Sequence, residues 1–226
     1  MSVDRTIIKR AIVDALPLYV PAVPFALVIG LAVVEAGMNP FVGWSSSWLI
    51  FGGAAQLTVI SLLGSGVAVV AAITAALVVN ARHVMYSAAL APKFQSQPRW
   101  MRWFGPYLLI DQLFALVSLR LDDDPKVWRQ YYLAAGFTFW TLWMFTTAVG
   151  LVIGPIIPEE WNLGFAVPIL FIGLIVVGID KSSKLVAALV GAGVTYLAAG
   201  MPSRSGLLVG AVVGILAGTV AERLRR

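Results

Sequence analysis

Residues 36–81 read AGMNPFVGWSSSWLIFGGAAQLTVISLLGSGVAVVAAITAALVVNA, a run of 46 residues between Glu35 and Arg82 that contains no charge. One crossing of a bilayer takes about 20 helical residues, so this stretch is too long for one transmembrane helix and sufficient for two. Gly64-Ser65-Gly66 divides it into segments near Phe41–Leu63 and Val67–Ser87. The flanking chain continues the pattern. Ala15–Val34 precedes it; Trp103–Leu119, Tyr131–Ile153, Trp161–Ile179, Leu185–Ala199 and Gly206–Ala221 follow. These runs lack the alternation of a barrel strand, and in lipid a helix satisfies its own backbone. The reading is an all-α, polytopic transmembrane helical bundle of about eight segments, or seven, forming one integral-membrane domain over residues 1–226.

Composition agrees. Charged residues are 12% of the 226-residue chain, about half the share of a soluble domain, and the mean hydropathy is +0.89. A soluble enzyme and a disordered tail are excluded. The net charge of +5 does not indicate nucleic acid, because the basic residues sit in short clusters beside apolar spans, where they set topology and meet anionic lipid. Cysteine is absent and histidine occurs once, so no thiolate or histidine cluster suggests a metal or a cofactor. Residues 1–16 lack a cleavable-signal layout, and the first span is expected to be kept.

Lysine and arginine placement predicts orientation. Arg5, Lys9 and Arg10 at one terminus and Arg223, Arg225 and Arg226 at the other put both ends in the cytoplasm. Eight crossings then put Lys126, Arg129, Lys181 and Lys184 inside as well. Lys93, Arg99 and Arg102 disagree, falling outside. A re-entrant segment would repair this only if a second segment also failed to cross, and segments two and four are the candidates.

Two kinds of interruption mark the spans. Pro17, Pro21 and Pro24 crowd the first segment, where each removes a donor and clashes with the preceding turn, so a straight helix is not expected. Pro168 does the same in segment six, within A-V-P-I-L-F-I-G-L-I-V-V (Ala166–Val177). That stretch echoes A-V-P-F-A-L-V-I-G-L-A-V-V (Ala22–Val34). Paired proline-broken segments suggest an inverted repeat around a transport site; chance likeness in a small apolar alphabet is the alternative. Gly52-Gly53 marks a further break. Gly206, Gly210, Gly214 and Gly218 recur every fourth residue, a small-residue face for close helix packing.

Few polar side chains remain inside the runs. Asp111 lies at the centre of segment four, too deep to snorkel; it either forms an ion pair with Arg82 or handles substrate or protons. Arg82, near the end of its span, is either a topological anchor or a carboxylate-binding guanidinium. Asn80, His83 and Ser87 share one helix face, and Arg82 and Tyr86 the next. His83 reads as a proton carrier or as a hydrogen-bonded structural group. Gln56, after the glycine pair, reads as a site residue or as interhelical glue.

With F-G-G-A-A-Q (Phe51–Gln56) and N-A-R-H (Asn80–His83) in view, the chain resembles the AzlC family, the large subunit of bacterial branched-chain amino-acid exporters. Y-S-A-A-L-A-P (Tyr86–Pro92), D-Q-L-F-A (Asp111–Ala115) and L-G-F-A-V-P-I-L-F-I-G-L (Leu163–Leu174) extend the likeness in order. Two positions depart: Gln112 stands where the family often has Glu, and Gly164 where it often has Asp. The resemblance implies a multi-pass inner-membrane transporter exporting leucine, isoleucine, valine and methionine with a small hydrophobic AzlD-type subunit. It supplies no ligand-residue list.

The residues themselves favour a proton-coupled secondary transporter and not an enzyme. No P-loop is present for nucleotide hydrolysis. A zwitterionic substrate needs an anion site, a cation site and an apolar pocket, for which Arg82, Asp111 and the proline-broken segments are candidates. A hydrolase would rest on Ser65 and His83, separated by about ten residues of depth, roughly 15 Å, too far for a dyad. A non-transporting scaffold would have little reason to carry Asp111 at mid-membrane.

Overall fold

The computed structural model describes residues 4–156, 179, 181–201 and 206–224. Among them the secondary structure is helical, with no strand. In chain order the helices are α1 (Arg5–Tyr19), α2 (Val23–Glu35), α3 (Pro40–Ile50), α4 (Gly53–Gly64), α5 (Val69–Val79), α6 (Arg82–Gln95), α7 (Arg99–Phe104), α8 (Asp111–Ser118), α9 (Pro125–Ile153), α10 (Ser182–Leu197) and α11 (Gly206–Arg223). Contacts divide the chain into two compact units, Met1–Val167 and Pro168–Arg226.

In the first unit α9 is the central post. Asp124 caps it by accepting from the Lys126 N–H at 2.8 Å, and Pro125 opens its first turn, where a missing N–H costs nothing. α1, α2, α3 and α8 pack along α9, and α4 packs on α2 and α5. Trp128, Tyr131, Tyr132 and Phe139 of α9 are fully buried in this core with Ile29, Val33 and Leu113. α2 and α9 meet backbone to backbone: a Cβ on Gly30 would overlap the Gly150 backbone, and one on Gly150 would lie 2.9 Å from Leu27 Cα. Two small residues permit an approach that side chains would hold apart.

The first segment is interrupted at its prolines, but only locally. Its three prolines do not unwind it; the run Arg5–Glu35 is one helical span that tightens into a 3-10 turn at Val20–Ala22. Pro21 and Pro24 each fall in the first turn of the element they enter, where their missing donor is tolerated.

Segment three differs from expectation. The helix does not end at Ser87 but bends by 45° after Val79 and continues to Gln95. Arg82 therefore opens α6 in the middle of the run, at the bend. Segment four is not one helix: α7 gives way to a 3-10 turn at Gly105–Leu108, then to extended backbone, and α8 starts at Asp111.

Segment four also enters and leaves at one end of the unit. Gln97, before α7, donates to the Pro125 carbonyl at 3.0 Å, and Lys93 donates to the carbonyls of Leu121 and Asp123, after α8. The α1 end meets the same place, since the Asp4 N–H donates to Gln130 Oε1 at 3.1 Å. Lys93, Arg99 and Arg102 therefore share an end with Lys126, Arg129 and Arg10. Segment two returns on itself as well, since a Cβ on Gly64 would lie 2.6 Å from Ala36 Cβ, so both segments named as candidates turn back and these basic residues fall at one end of the unit. Gly105, Pro106 and a carboxylate at position 111 interrupt a segment that a continuous crossing would require to be helical.

That end is tied by charge. Arg120 bonds Asp123 at 3.0 Å, lies 3.8 Å from the Asp14 carboxylate and covers the Tyr131 ring at 3.9 Å, while Tyr131 donates to Asp14 at 2.7 Å. Burial works to lower the Arg120 pKa, but Asp123 and Tyr131 outweigh it and the guanidinium is held above its usual value.

Two helical runs among the described residues are long and apolar enough to cross a membrane alone, Arg5–Glu35 and Pro125–Ile153, or three with the bent pair α5–α6. In the second unit α10 and α11 form a tight pair. Gly206 abuts Ala198, Gly210 abuts Gly191 and Thr195, Gly214 abuts Ala187 and Gly191, and Gly218 abuts Ala187 and Ser183. The glycine face of α11 is thus used within the chain. Pro168 and all of segment six except its last residue lie outside the described residues.

Candidate functional site

Three interruptions of the first unit converge. The first separates α3 from α4: Phe51 takes a left-handed conformation (φ 40°) and Gly52 an extended one. The glycine pair is demanded by packing. A Cβ on Gly52 would lie 3.3 Å from Asn80 Oδ1, and one on Gly53 would lie 2.6 Å from the Phe25 ring and 2.7 Å from the Trp143 ring.

The second interruption is the bend at Asn80–Ala81, and Asn80 thereby joins it to the first. The third is the tip of the re-entrant segment four, where Tyr107 sits 5.8 Å from the Phe51 ring and donates to the Trp48 carbonyl. In a bilayer such irregular backbone is tolerated where protein or a polar cavity surrounds it.

The charged residues sit at these interruptions. Arg82, first residue of α6, and Asp111, first residue of α8, form an ion pair at 3.1 Å. Asp111 at the start of a helix also meets its positive end. Its other oxygen accepts from the Tyr86 hydroxyl at 2.7 Å, and the Tyr86 ring is stacked on Phe114 at 4.4 Å. The pair is reachable: the side chains of Arg82 and Asp111 are 34% and 41% exposed within the chain.

The pairing leaves two polar atoms short. Arg82 Nε and Asn80 Oδ1 are buried and have no hydrogen-bond partner, each at a cost of about 1–3 kcal/mol or more. His83 is used locally, its Nδ1 lying 3.1 Å from the Asn80 carbonyl oxygen and its ring edge-on to Tyr86.

Gln56 does not join this group. It is fully buried and its amide is fully engaged: Nε2 donates to Ser46 Oγ at 2.9 Å and Ser47 Oγ at 2.8 Å, and Oε1 accepts from Trp143 Nε1 at 3.1 Å. Ser47 continues to Thr147 at 3.1 Å. Gln56 is interhelical glue that binds α3, α4 and α9 behind the break. Ser65, the hydrolase candidate, donates to its own helix at the Ser61 carbonyl. Among the described residues no group of three His, Asp or Glu side chains could hold a metal ion.

Sequence reading missed Tyr86 as the partner of Asp111. Its only signal was the shared face with Arg82. Trp143 and the Asp14–Arg120–Tyr131 group were missed because each bridges parts of the chain more than a hundred residues apart or, for Trp143, 87 apart.

The spacing of these motifs is that of a known family: the AzlC protein family model matches residues 17–157. The chain belongs to the AzlC family. It is 26% identical over 217 residues to the inner membrane protein YgaZ of Escherichia coli K12, covering 90% of this chain and 87% of that protein. An uncharacterized membrane protein of Archaeoglobus fulgidus is 26% identical over 146 residues, 65% of this chain and 62% of its own. One from Helicobacter pylori 26695 is 26% identical over 131 residues, 57% and 56% of the two chains. No solved structure matches this AzlC protein.

Proposed function

We propose that this AzlC protein is a secondary transporter that exports neutral, apolar amino acids, namely leucine, isoleucine, valine and methionine, against an inward proton flow. The observation that carries the reading is the Arg82–Asp111–Tyr86 group at the convergence of three backbone interruptions. An ionisable pair inside a membrane chain is costly and marks a substrate or ion pathway. Transporter sites are formed where helices are discontinuous.

In this reading Asp111 carries the coupling proton. Protonation from outside cancels its charge and frees Arg82; release inside restores the pair. The chain works in the bacterial inner membrane with both termini cytoplasmic and with a small AzlD-type subunit. The basic end formed by Arg10, Lys93, Arg120 and Lys126 supports a cytoplasmic N-terminus, and Arg223, Arg225 and Arg226 support a cytoplasmic C-terminus.

The test is efflux of labelled valine from proteoliposomes under an imposed pH gradient, with and without the small subunit. Efflux that follows the gradient is expected, and Asp111→Asn abolishes the pH-driven component in folded protein. Normal pH-driven efflux by Asp111→Asn refutes the proton role.

A further inference from the structure

Resting on that transport reading, we infer that Arg82 and Asp111 are each other's substitute for substrate: the transported molecule is an α-amino-acid zwitterion whose carboxylate replaces Asp111 on Arg82 and whose ammonium replaces Arg82 on Asp111. The two side chains carry opposite unit charges 3.1 Å apart, at the start of two different helices. Neither helix start is locked by a side-chain cap. The pair therefore opens by relative movement of α6 and α8 without breaking a helix.

The unmet valences match the same ligand. Arg82 Nε is a donor without an acceptor, as a carboxylate would supply; Asn80 Oδ1, two residues earlier, is an acceptor without a donor, as an ammonium would supply. Tyr86 stays on Asp111 Oδ1 in either arrangement and leaves Oδ2, the oxygen that Arg82 now uses, for the incoming ammonium. The Tyr86–Phe114 stack forms an apolar wall beside these charges, suited to the side chain of valine or leucine.

The exchange explains how the pair can open. Opening this part-exposed pair inside a membrane chain strands two charges, whereas a ligand that brings both opposite charges at once leaves none uncompensated. A monoanion satisfies Arg82 but strands Asp111, and a monocation does the reverse. Site recognition is therefore by charge class before side-chain shape.

The test uses purified protein in proteoliposomes, with its small subunit, and three ligands of one carbon skeleton: valine, valinamide as the cation and isovalerate as the anion. Each is offered as a competitor of labelled-valine exchange and as a substrate. In the unmodified protein, valine competes at least about tenfold better than either, given that one charge-assisted hydrogen bond is worth roughly a factor of 10 or more. Asp111→Asn turns the preference to isovalerate, and Arg82→Gln turns it to valinamide. Binding is read independently as ligand-induced thermal stabilisation in detergent, so a variant that cannot cycle still reports. Arg82→Gln and Asp111→Asn carry the test separately, and the double variant, which strands no charge, loses all three preferences.

Valine exchange by the unmodified protein, together with folded variants whose charge preference does not change, overturns this inference and leaves the transport reading standing. No exchange of valine by the unmodified protein overturns the transport reading itself.

Discussion

Gln56→Met tests whether the amide behind the α3–α4 break holds the break in shape. The side chain is fully buried, so no water replaces what is lost. Methionine has nearly the same length and flexibility, which confines the change to hydrogen bonding. Three bonds disappear: those donated to Ser46 and Ser47, and that accepted from Trp143.

They are not equal. Ser46 still donates to the Gly43 carbonyl and Ser47 to Thr147, so each loses only an incoming donor, about 0.6 kcal/mol per bond inside a membrane protein. The Trp143 N–H has no second acceptor, and an orphaned buried donor costs about 1–3 kcal/mol. The sum is roughly 2–4 kcal/mol. At about 2–4 °C per kcal/mol for a chain of this size, the melting temperature in mild detergent falls by roughly 5–15 °C. Adding Ser47→Ala should cost less than its separate effect, because the Ser47–Gln56 bond is removed only once. A melting temperature unchanged within about 2 °C, a shift below this range, or strict additivity with Ser47→Ala, would refute the glue role.

Three further outcomes follow from the packing and the site. Gly150→Ala puts a methyl 2.5 Å from the Leu27 carbonyl oxygen and should destabilise by about 1–3 kcal/mol or more, read as loss of monodisperse protein in size-exclusion chromatography. Gly214→Leu collides with Ala187 and Gly191 and should disrupt the α10–α11 pair. Gly193→Leu, where a Cβ meets nothing within 4 Å among the described residues, should leave folded yield unchanged. Tyr86→Phe keeps the stack on Phe114 but removes the donor to Asp111; pH-driven valine efflux should fall roughly 10-fold or more while the melting temperature holds.

Membrane residence, helical class and family were legible without coordinates. All three depend on local composition: charge-free runs without strand alternation are helices in lipid, and short motifs such as Phe51–Gln56 and Asn80–His83 keep their spacing along the chain. The rare polar residues were legible for the same reason, since an isolated Asp111 or Arg82 stands out against an apolar background.

What each of them touches was decided by the tertiary structure. Two candidates, Gln56 and Asp111, separated once their neighbours were known: the first is enclosed by Ser46, Ser47 and Trp143, the second is paired but reachable. The composition of segment four permits a span, and the basic residues before it marked it, with segment two, as a candidate to turn back. Only contacts between Gln97 and Pro125, and between Lys93 and Leu121, return its two ends to the same side. Hydropathy measures whether a residue tolerates lipid. It carries no information on which distant residue faces it, and a re-entrant turn, an ion pair and a glycine contact between two helices are all statements about that second quantity.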